Sequence, residues 1–205
     1  MTVRPWFPTL LYDAALGGRD PRRFNRDLLA ECLQIREVDA EGRRWSRSRY
    51  PGGYTSYASL NQLHRMSSTF MALERRLRRH VHAYARALDW DLTRCKLEMT
   101  DCWVNVMPRL CSHASHLHPT ASISGTYYVR TPRGCSRLRF EDPRLSMQMA
   151  APPRVAAPRP ANETFVYYPV QAGRVILFES WLRHEVPAGT VDAERVSVSF
   201  NWNWF

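Results

Sequence analysis

The sequence predicts an α+β fold in which a β-sandwich or barrel is buttressed by helices on one face. The prediction rests on a change of pattern along the 205 residues. In the first half, apolar residues recur at helical spacing, whereas from about Leu97 short runs rich in Val, Ile, Tyr, Phe and Trp alternate with Pro and Gly. The length and an ordinary composition, 44% hydrophobic and 23% charged, fit a single domain with a sizeable core.

The N-terminal part, residues 1–95, is predicted to be mainly helical. One helix is expected from Pro21 to about Glu37, with Asp20 as its N-cap and proline in its first turn. A loop containing Pro51-Gly52-Gly53 follows. The strongest helical pattern then runs from Leu63 to Leu88, with one apolar stripe and arginines on the opposite face.

The C-terminal part, residues 96–205, is predicted to form the β-rich core. A stretch with five prolines within residues 142–163 interrupts it and is expected to be an irregular loop, because strand patterns resume directly afterwards. The predicted strands are Leu97–Met107, His113–His118, Ser122–Arg130, Ser136–Phe140, Thr164–Tyr168, Arg174–Phe178, His184–Val186 and Glu194–Trp204.

The net charge and the cysteine content limit the possible functions and the cellular location. The formal net charge of +10 raises the question of nucleic-acid binding, but the arginines are scattered except on one predicted helix, and no recognition motif is present. Five cysteines without a C-x-x-C pair indicate free thiols in a reducing compartment. Without an apolar run of membrane-spanning length or a secretory signal, we expect a cytoplasmic protein that binds neither membrane nor nucleic acid.

The histidines are the first candidates for chemistry. His116 and His118 are two residues apart in a predicted strand, so both side chains should point to one face and could hold one metal ion. His80 and His82 have the same spacing on a helix, which places them on different sides of its axis and excludes a shared metal. His64 stands alone and is expected to be a surface or capping residue.

The last predicted strand carries a strict alternation. Its polar face begins with Arg195 and Ser197, and its apolar face carries Val, Phe and Trp. Such a polar face ordinarily meets solvent. If it instead lines the interior, Arg195 and Ser197 form a receptor for a carboxylate, since arginine supplies a two-pronged charged donor and serine a hydroxyl. His184 follows an apolar strand eleven residues before Arg195.

Together these motifs resemble a family of bacterial and phage 2-oxoglutarate/Fe(II)-dependent oxygenases. The resemblance comprises an H-x-H-P…S-G-x-Y-Y block, a distal histidine and an R-x-S motif, and it covers most of residues 98–205. The matching stretches are residues 116–129 (HLHPTASISGTYYV), 140–144 (FEDPR), 180–186 (SWLRHEV) and 195–201 (RVSVSFN).

The resemblance implies a double-stranded β-helix, a cupin-like jelly roll, with Fe(II) held by His116, His118 and His184. It implies that 2-oxoglutarate chelates the iron while Arg195 and Ser197 bind its far carboxylate. The enzyme would use O2 to hydroxylate a C–H bond of an amino acid, peptide or small natural product, with succinate and CO2 as co-products. Further cofactor-binding candidates are Asn105, Tyr128 and Ser124; candidates for the substrate pocket are His113, Trp103 and Trp181.

One position departs from the superfamily pattern, in which the second metal ligand is a carboxylate. This sequence has His118 there, and imidazole is also a suitable ligand for Fe(II). The alternative is that His118 lies outside the ligand set and that Glu141, Asp142 or Glu185 completes it.

Two other functions remain open at this stage: a cupin-like three-histidine dioxygenase that does not use 2-oxoglutarate, and a non-catalytic module that binds a metal or small ligand. The substrate, the choice between hydroxylation, desaturation and cyclisation, and the oligomeric state, with a homodimer as one option, are not predicted.

Overall fold

The computed structural model of the protein describes all of residues 1–205. Four helices occupy the N-terminal part. They are α1 (Pro21–Val38), α2 (Ala40–Arg49), α3 (Leu63–Met66) and α4 (Ser68–Ala87). The predicted start of α1 is confirmed, because Asp20 accepts a hydrogen bond from the Arg23 backbone N–H and Pro21 is the first helical residue. No helix is both long and apolar enough to cross a membrane.

Two differences from the predicted helices have local causes. The long helix is divided at Ser67, which is extended (φ −135°, ψ 139°) and whose hydroxyl accepts from the backbone N–H groups of Thr69 and Phe70 as the N-cap of α4. Part of the predicted loop is helix α2. Its sequence is charged and lacks apolar periodicity, but Asp39 caps it through a 2.8 Å hydrogen bond from Gly42 N–H.

Ten strands form two antiparallel sheets. They are β1 (Tyr12–Ala15), β2 (Tyr54–Thr55), β3 (Leu97–Met107), β4 (His113–His116), β5 (Ile123–Arg130), β6 (Leu138–Glu141), β7 (Phe165–Tyr168), β8 (Arg174–Glu179), β9 (His184–Val186) and β10 (Arg195–Trp204). The six-stranded sheet has the order β1-β8-β5-β10-β3-β2 and the four-stranded sheet the order β4-β9-β6-β7. The predicted strands are confirmed to within two residues at each end.

The helical part also contributes strands, which the sequence did not predict. β1 pairs with β8 and β2 pairs with β3, so both edges of the larger sheet come from residues before Leu97. Between β6 and β7, the proline-rich segment contains only two short 3₁₀ turns, Leu145–Gln148 and Pro160–Asn162.

The alternation along β10 divides the molecule into two layers. Its apolar residues, among them Val198, Phe200 and Trp202, join Phe70 and Leu77 of α4 in the main hydrophobic core. The opposite face therefore points towards the smaller sheet. Arg195 and Ser197 on that face are 5% and 1% exposed, so the start of the polar face is buried inside the barrel and does not meet solvent.

Candidate active site

A cavity between the two sheets collects the polar side chains that the motifs had singled out. The larger sheet contributes Asn105, Arg195 and Ser197, and the smaller sheet with its adjoining loop contributes the three histidines of the H-x-H and distal-histidine motifs. The histidines are His116, His118 and His184.

The three imidazoles form one cluster. Their potential ligand nitrogens all lie within 4.8 Å of one another. His116 and His184 are directly opposite each other on β4 and β9, with ring centroids 4.3 Å apart. His118 was predicted to lie on the same strand as His116. In the structure β4 is irregular after His113 and ends at His116, so His118 lies beyond the strand. The His118 backbone N–H donates to the carbonyl of Ser180 (2.9 Å), which holds the residue after the strand end.

Hydrogen bonds select the tautomer of two of these rings. His116 Nδ1 lies 2.7 Å from the carbonyl oxygen of Ala114, and His184 Nδ1 lies 2.9 Å from that of Leu182. A carbonyl can only accept, so each Nδ1 carries the proton and each Nε2 keeps its lone pair for a metal.

Burial keeps the cluster neutral. Desolvation, reinforced by the neighbouring imidazoles, lowers the pKa of His118 to about 4 and that of His184 well below its ordinary value. Neutral imidazole is the form that binds metal. Three neutral nitrogen donors on one side of a cavity fit a divalent transition metal such as Fe(II).

The cavity also holds a buried cation without a counter-ion. Arg195 belongs to none of the ion pairs of the chain. Its Nη1 lies 3.0 Å from the sulfur of Met107, its Nε has no partner, and its guanidinium carbon lies 5.0 Å from the centroid of the Tyr128 ring. An unpaired buried charge is unfavourable, so the site is complementary to an anion such as a carboxylate.

Neighbouring strands carry further polar atoms without partners. In the strand register Ser197 lies opposite Asn105 of β3 and Tyr128 of β5. The Asn105 side-chain oxygen and the Tyr128 hydroxyl are buried without a hydrogen-bond partner, while Asn105 Nδ2 donates to Ser199 Oγ at 3.0 Å. Ser124 differs: its hydroxyl donates to Asn201 Oδ1 (2.9 Å) and lies 2.8 Å from Ser180 Oγ, so it belongs to a hydrogen-bonded wall of the cavity.

The carboxylates considered as replacements for His118 all pair with arginines. Glu141 pairs with Arg183, Asp142 with Arg144 and Glu185 with Arg139, at 3.3, 2.9 and 2.6 Å. The only group of three or more potential metal ligands in the chain is the histidine cluster.

The predicted substrate-pocket residues divide between two sites. His113 stacks on His116, with ring centroids 4.2 Å apart, and Trp103 lies 5.9 Å from the His118 ring; both line the cavity. Trp181 does not reach this cavity. It is 47% exposed and lines a separate cleft that meets the cavity at His118.

The structure adds cavity residues that the sequence analysis missed. Thr126 and Ser199 lie on the inward faces of β5 and β10, and the alternation of those strands could have identified them. Tyr50 comes from the end of α2, contacts His113 edge-to-face, and has a buried hydroxyl without a partner. No sequence pattern points to Tyr50. The expectation for His64 was wrong, because this residue of α3 is 5% exposed and neither of its ring nitrogens has a hydrogen-bond partner.

Comparison with known proteins identifies this arrangement. The family model described as "Putative 2OG-Fe(II) oxygenase" matches residues 101–201, which include every histidine and the arginine of the cavity. These residues belong to the 2OG-Fe(II) oxygenase family. The 2OG-Fe(II) oxygenases are Fe(II)- and 2-oxoglutarate-dependent oxidoreductases, so Fe(II) and 2-oxoglutarate are the cofactors of this domain. No curated protein matches the chain by sequence.

Solved structures share the fold of this 2OG-Fe(II) oxygenase, a double-stranded β-helix. A prolyl-4-hydroxylase from Pseudomonas putida is 17% identical with a TM-score of 0.58, covering 95% of this chain and 92% of that one. The epimerase SnoN, with Fe3+, alpha ketoglutarate and nogalamycin RO, is 15% identical with a TM-score of 0.65 (95% and 78% covered). HygX from Streptomyces hygroscopicus, with nickel, 2-oxoglutarate and hygromycin B, is 13% identical with a TM-score of 0.61 (95% and 83% covered).

Proposed function

We propose that the protein hydroxylates a C–H bond of a small molecule or peptide, with His116, His118 and His184 as the ligands of Fe(II). The observation that supports this most strongly is the pairing of two features in one cavity. A cluster of neutral imidazoles faces a buried arginine that lacks a counter-ion. A metal alone would not require Arg195, whereas a metal-chelating dicarboxylate requires both.

In this proposal each side chain around the cofactor has a role. Arg195 donates to the far carboxylate of 2-oxoglutarate, and the hydroxyls of Ser197 and Tyr128 complete its binding. The free oxygen of Asn105 orients a donor of the substrate or a bound water. Ser124 supports the wall through its network and does not contact the cofactor. Bound Fe(II) and 2-oxoglutarate supply the oxidant, with O2 consumed and succinate and CO2 released.

The chain's own contribution is positioning and exclusion of water. The Nδ1 hydrogen bonds of His116 and His184 fix the direction of the metal-binding nitrogens before the metal arrives. Phe178 and Phe140 pack against His184, with centroids 4.5 and 6.2 Å away, and form an apolar wall behind the cluster. A dry, rigid cavity strengthens every charge interaction within it.

The substrate class is proposed at a coarse level. SnoN and HygX were solved with nogalamycin RO and hygromycin B, which are small molecules. This chain shares their fold at low identity, so an amino acid, a peptide side chain or a small natural product all remain within the proposal.

The test is anaerobic reconstitution with Fe(II), followed by titration with 2-oxoglutarate and observation of the weak visible charge-transfer band of a chelated Fe(II) site. We expect the band in the wild type, its loss in His184→Ala, and a much higher 2-oxoglutarate requirement in Arg195→Ala. Arg159→Ala is the matched control, because Arg159 is an exposed arginine in the proline-rich segment. Metal-loaded protein without a band would reject the proposal in favour of a cupin-like dioxygenase or a metal-binding module.

A further inference from the structure

A second cavity, of about 850 Å³, opens beside the histidine cluster. We call it the tryptophan cleft and define it by Trp90, Trp181 and Trp204 together with Asp89, Asp91 and Glu179. His118 lines both this cleft and the metal cavity. A molecule bound in the cleft therefore lies directly beside the proposed iron ligands.

The charge of the cleft is opposite to that of the whole chain. The protein carries a formal net charge of +10, yet the cleft is lined by three carboxylates and by no lysine or arginine. None of these carboxylates belongs to an ion pair. Asp91 is held ionised by the backbone N–H and hydroxyl of Thr93, which donate to it at 2.9 and 2.7 Å.

Two of the cleft tryptophans are exposed. Trp181 is 47% and Trp204 is 59% exposed, so two indole rings present much of their surface to the cleft and its mouth. The face of an indole ring attracts cations, and the attraction grows when nearby water is displaced. Indoles beside uncompensated carboxylates form a site for an organic cation, whereas an anion would be repelled and a purely apolar molecule would leave the carboxylates unused.

We infer that the tryptophan cleft binds an organic ammonium group, and that the substrate of the enzyme is a cationic amine with a ring or aliphatic body. The inference rests on the proposed function for its statement about the substrate. The carboxylates hold the charged nitrogen, the indoles pack on the attached carbon atoms, and the remainder of the molecule extends past His118 into the metal cavity.

The first experiment compares three probes of one shape: phenethylamine, 2-phenylethanol and 3-phenylpropionate. Each is titrated into the folded protein while the indole N–H resonances are followed by NMR, with assignments from Trp→Phe variants. We expect the amine to bind about tenfold more tightly than the alcohol, to shift the resonances of the three cleft tryptophans, and to leave those of Trp6 and Trp45 unchanged. The carboxylate should show no binding at the cleft.

Neutral isosteres then test the carboxylates. Glu179→Gln and the double variant Asp89→Asn/Asp91→Asn should each weaken the amine several-fold and leave the alcohol unchanged. Glu31→Gln is the matched control, since Glu31 is another carboxylate without an ion pair but lines a hollow on α1. Equal binding of amine and alcohol, preference for the carboxylate, or equal loss in the control would overturn the inference.

These measurements need neither iron nor turnover, which separates the two proposals. If 2-oxoglutarate binds at the iron but the amine does not bind in the cleft, the substrate class is wrong and the enzyme assignment survives. If the amine binds but the iron site fails, the cleft survives as an ammonium site. In the loaded enzyme, the amine should increase succinate formation in the wild type and should lose this effect in Glu179→Gln.

Discussion

The guanidinium carbon of Arg195 lies 5.0 Å from the centroid of the Tyr128 ring, and the hydroxyl of that ring is buried without a partner. Arg195 lines the cavity and Tyr128 packs against its guanidinium, and the pair carries two unsatisfied donors, the Arg195 Nε and the tyrosine O–H. Unpaired buried donors destabilise a protein unless a ligand accepts from them. The arrangement therefore predicts that stability and cofactor affinity change in opposite directions when either residue is made apolar.

We expect the Tyr128→Phe protein to be at least as stable as the wild type and to bind the cofactor more weakly. Removing an unpaired hydroxyl should leave the unfolding free energy of the cofactor-free protein unchanged or raise it by about 0.5–1 kcal/mol, and it should weaken 2-oxoglutarate about tenfold by deleting one hydrogen bond. Thermal melts and cofactor titration measure the two effects. Tyr127→Phe is the control, because its hydroxyl already donates to Asn25 at 2.8 Å outside the cavity. Unchanged cofactor affinity in Tyr128→Phe would show that this hydroxyl plays no part in binding.

Arg195→Met is expected to raise stability and lower cofactor affinity in the same way as Tyr128→Phe, but by larger amounts. Without cofactor, an apolar side chain in place of an unpaired buried charge should stabilise the fold by about 1–2 kcal/mol. With cofactor, the wild type should gain thermal stability as 2-oxoglutarate is added, and the variant should gain none. The decisive measurement is the melting temperature of both proteins with Fe(II) at increasing 2-oxoglutarate. A variant stabilised as much as the wild type would reject Arg195 as the carboxylate receptor.

Two substitutions at His118 distinguish a metal ligand from a neighbour. Loss of a residue that only supports a ligand costs about 10–100-fold in metal affinity, so His118→Ala should cost more than about 100-fold if His118 binds the metal. His118→Asp restores the carboxylate of the wider superfamily and should retain iron. Competition with a metal-sensitive dye measures both affinities. If His118→Ala weakens metal binding no more than His113→Ala does, His118 is not a metal ligand.

Gly125 is predicted to be required for packing at the floor of the cavity. A Cβ atom there would lie 2.6 Å from side-chain carbons of Leu177 and Phe200 and 2.8 Å from the Ile176 carbonyl oxygen. Because backbone cannot yield as a flexible side chain can, Gly125→Ala should destabilise the fold by about 1–3 kcal/mol. Chemical denaturation measures the change. A variant as stable as the wild type would mean that β5 and β8 can separate without cost.

The strands that carry the site were readable from the sequence because their patterns are local. Strict alternation located β10 and placed Arg195 and Ser197 on one face, and the histidine spacing singled out the segment that carries His116 and His118 as a candidate metal site. The burial of that polar face could not be predicted from the sequence, because it depends on a second sheet that covers it. The same applies to β1 and β2, whose pairing partners lie far away in the sequence.

The missed residues have a common physical origin. Tyr50 reaches the cavity because the C-terminal end of α2 lies against His113 of β4, and Trp181, in the turn after β8, lines the separate cleft instead. Neither direction is encoded in a periodic pattern. Similarly, α2 is stabilised by the single capping residue Asp39, which also accepts a hydrogen bond from Tyr54, and this contact does not appear in local hydrophobicity.

The position of β10 has a consequence for how the chain folds during synthesis. β10 is the latest strand in chain order, yet it lies in the middle of the larger sheet, between β5 and β3. Until residues 195–204 leave the ribosome, β3 and β5 have no common partner and their pairing edges stay open to other chains. The larger sheet therefore cannot be completed before β10 is synthesised. We expect delayed folding and dependence on chaperones as a result.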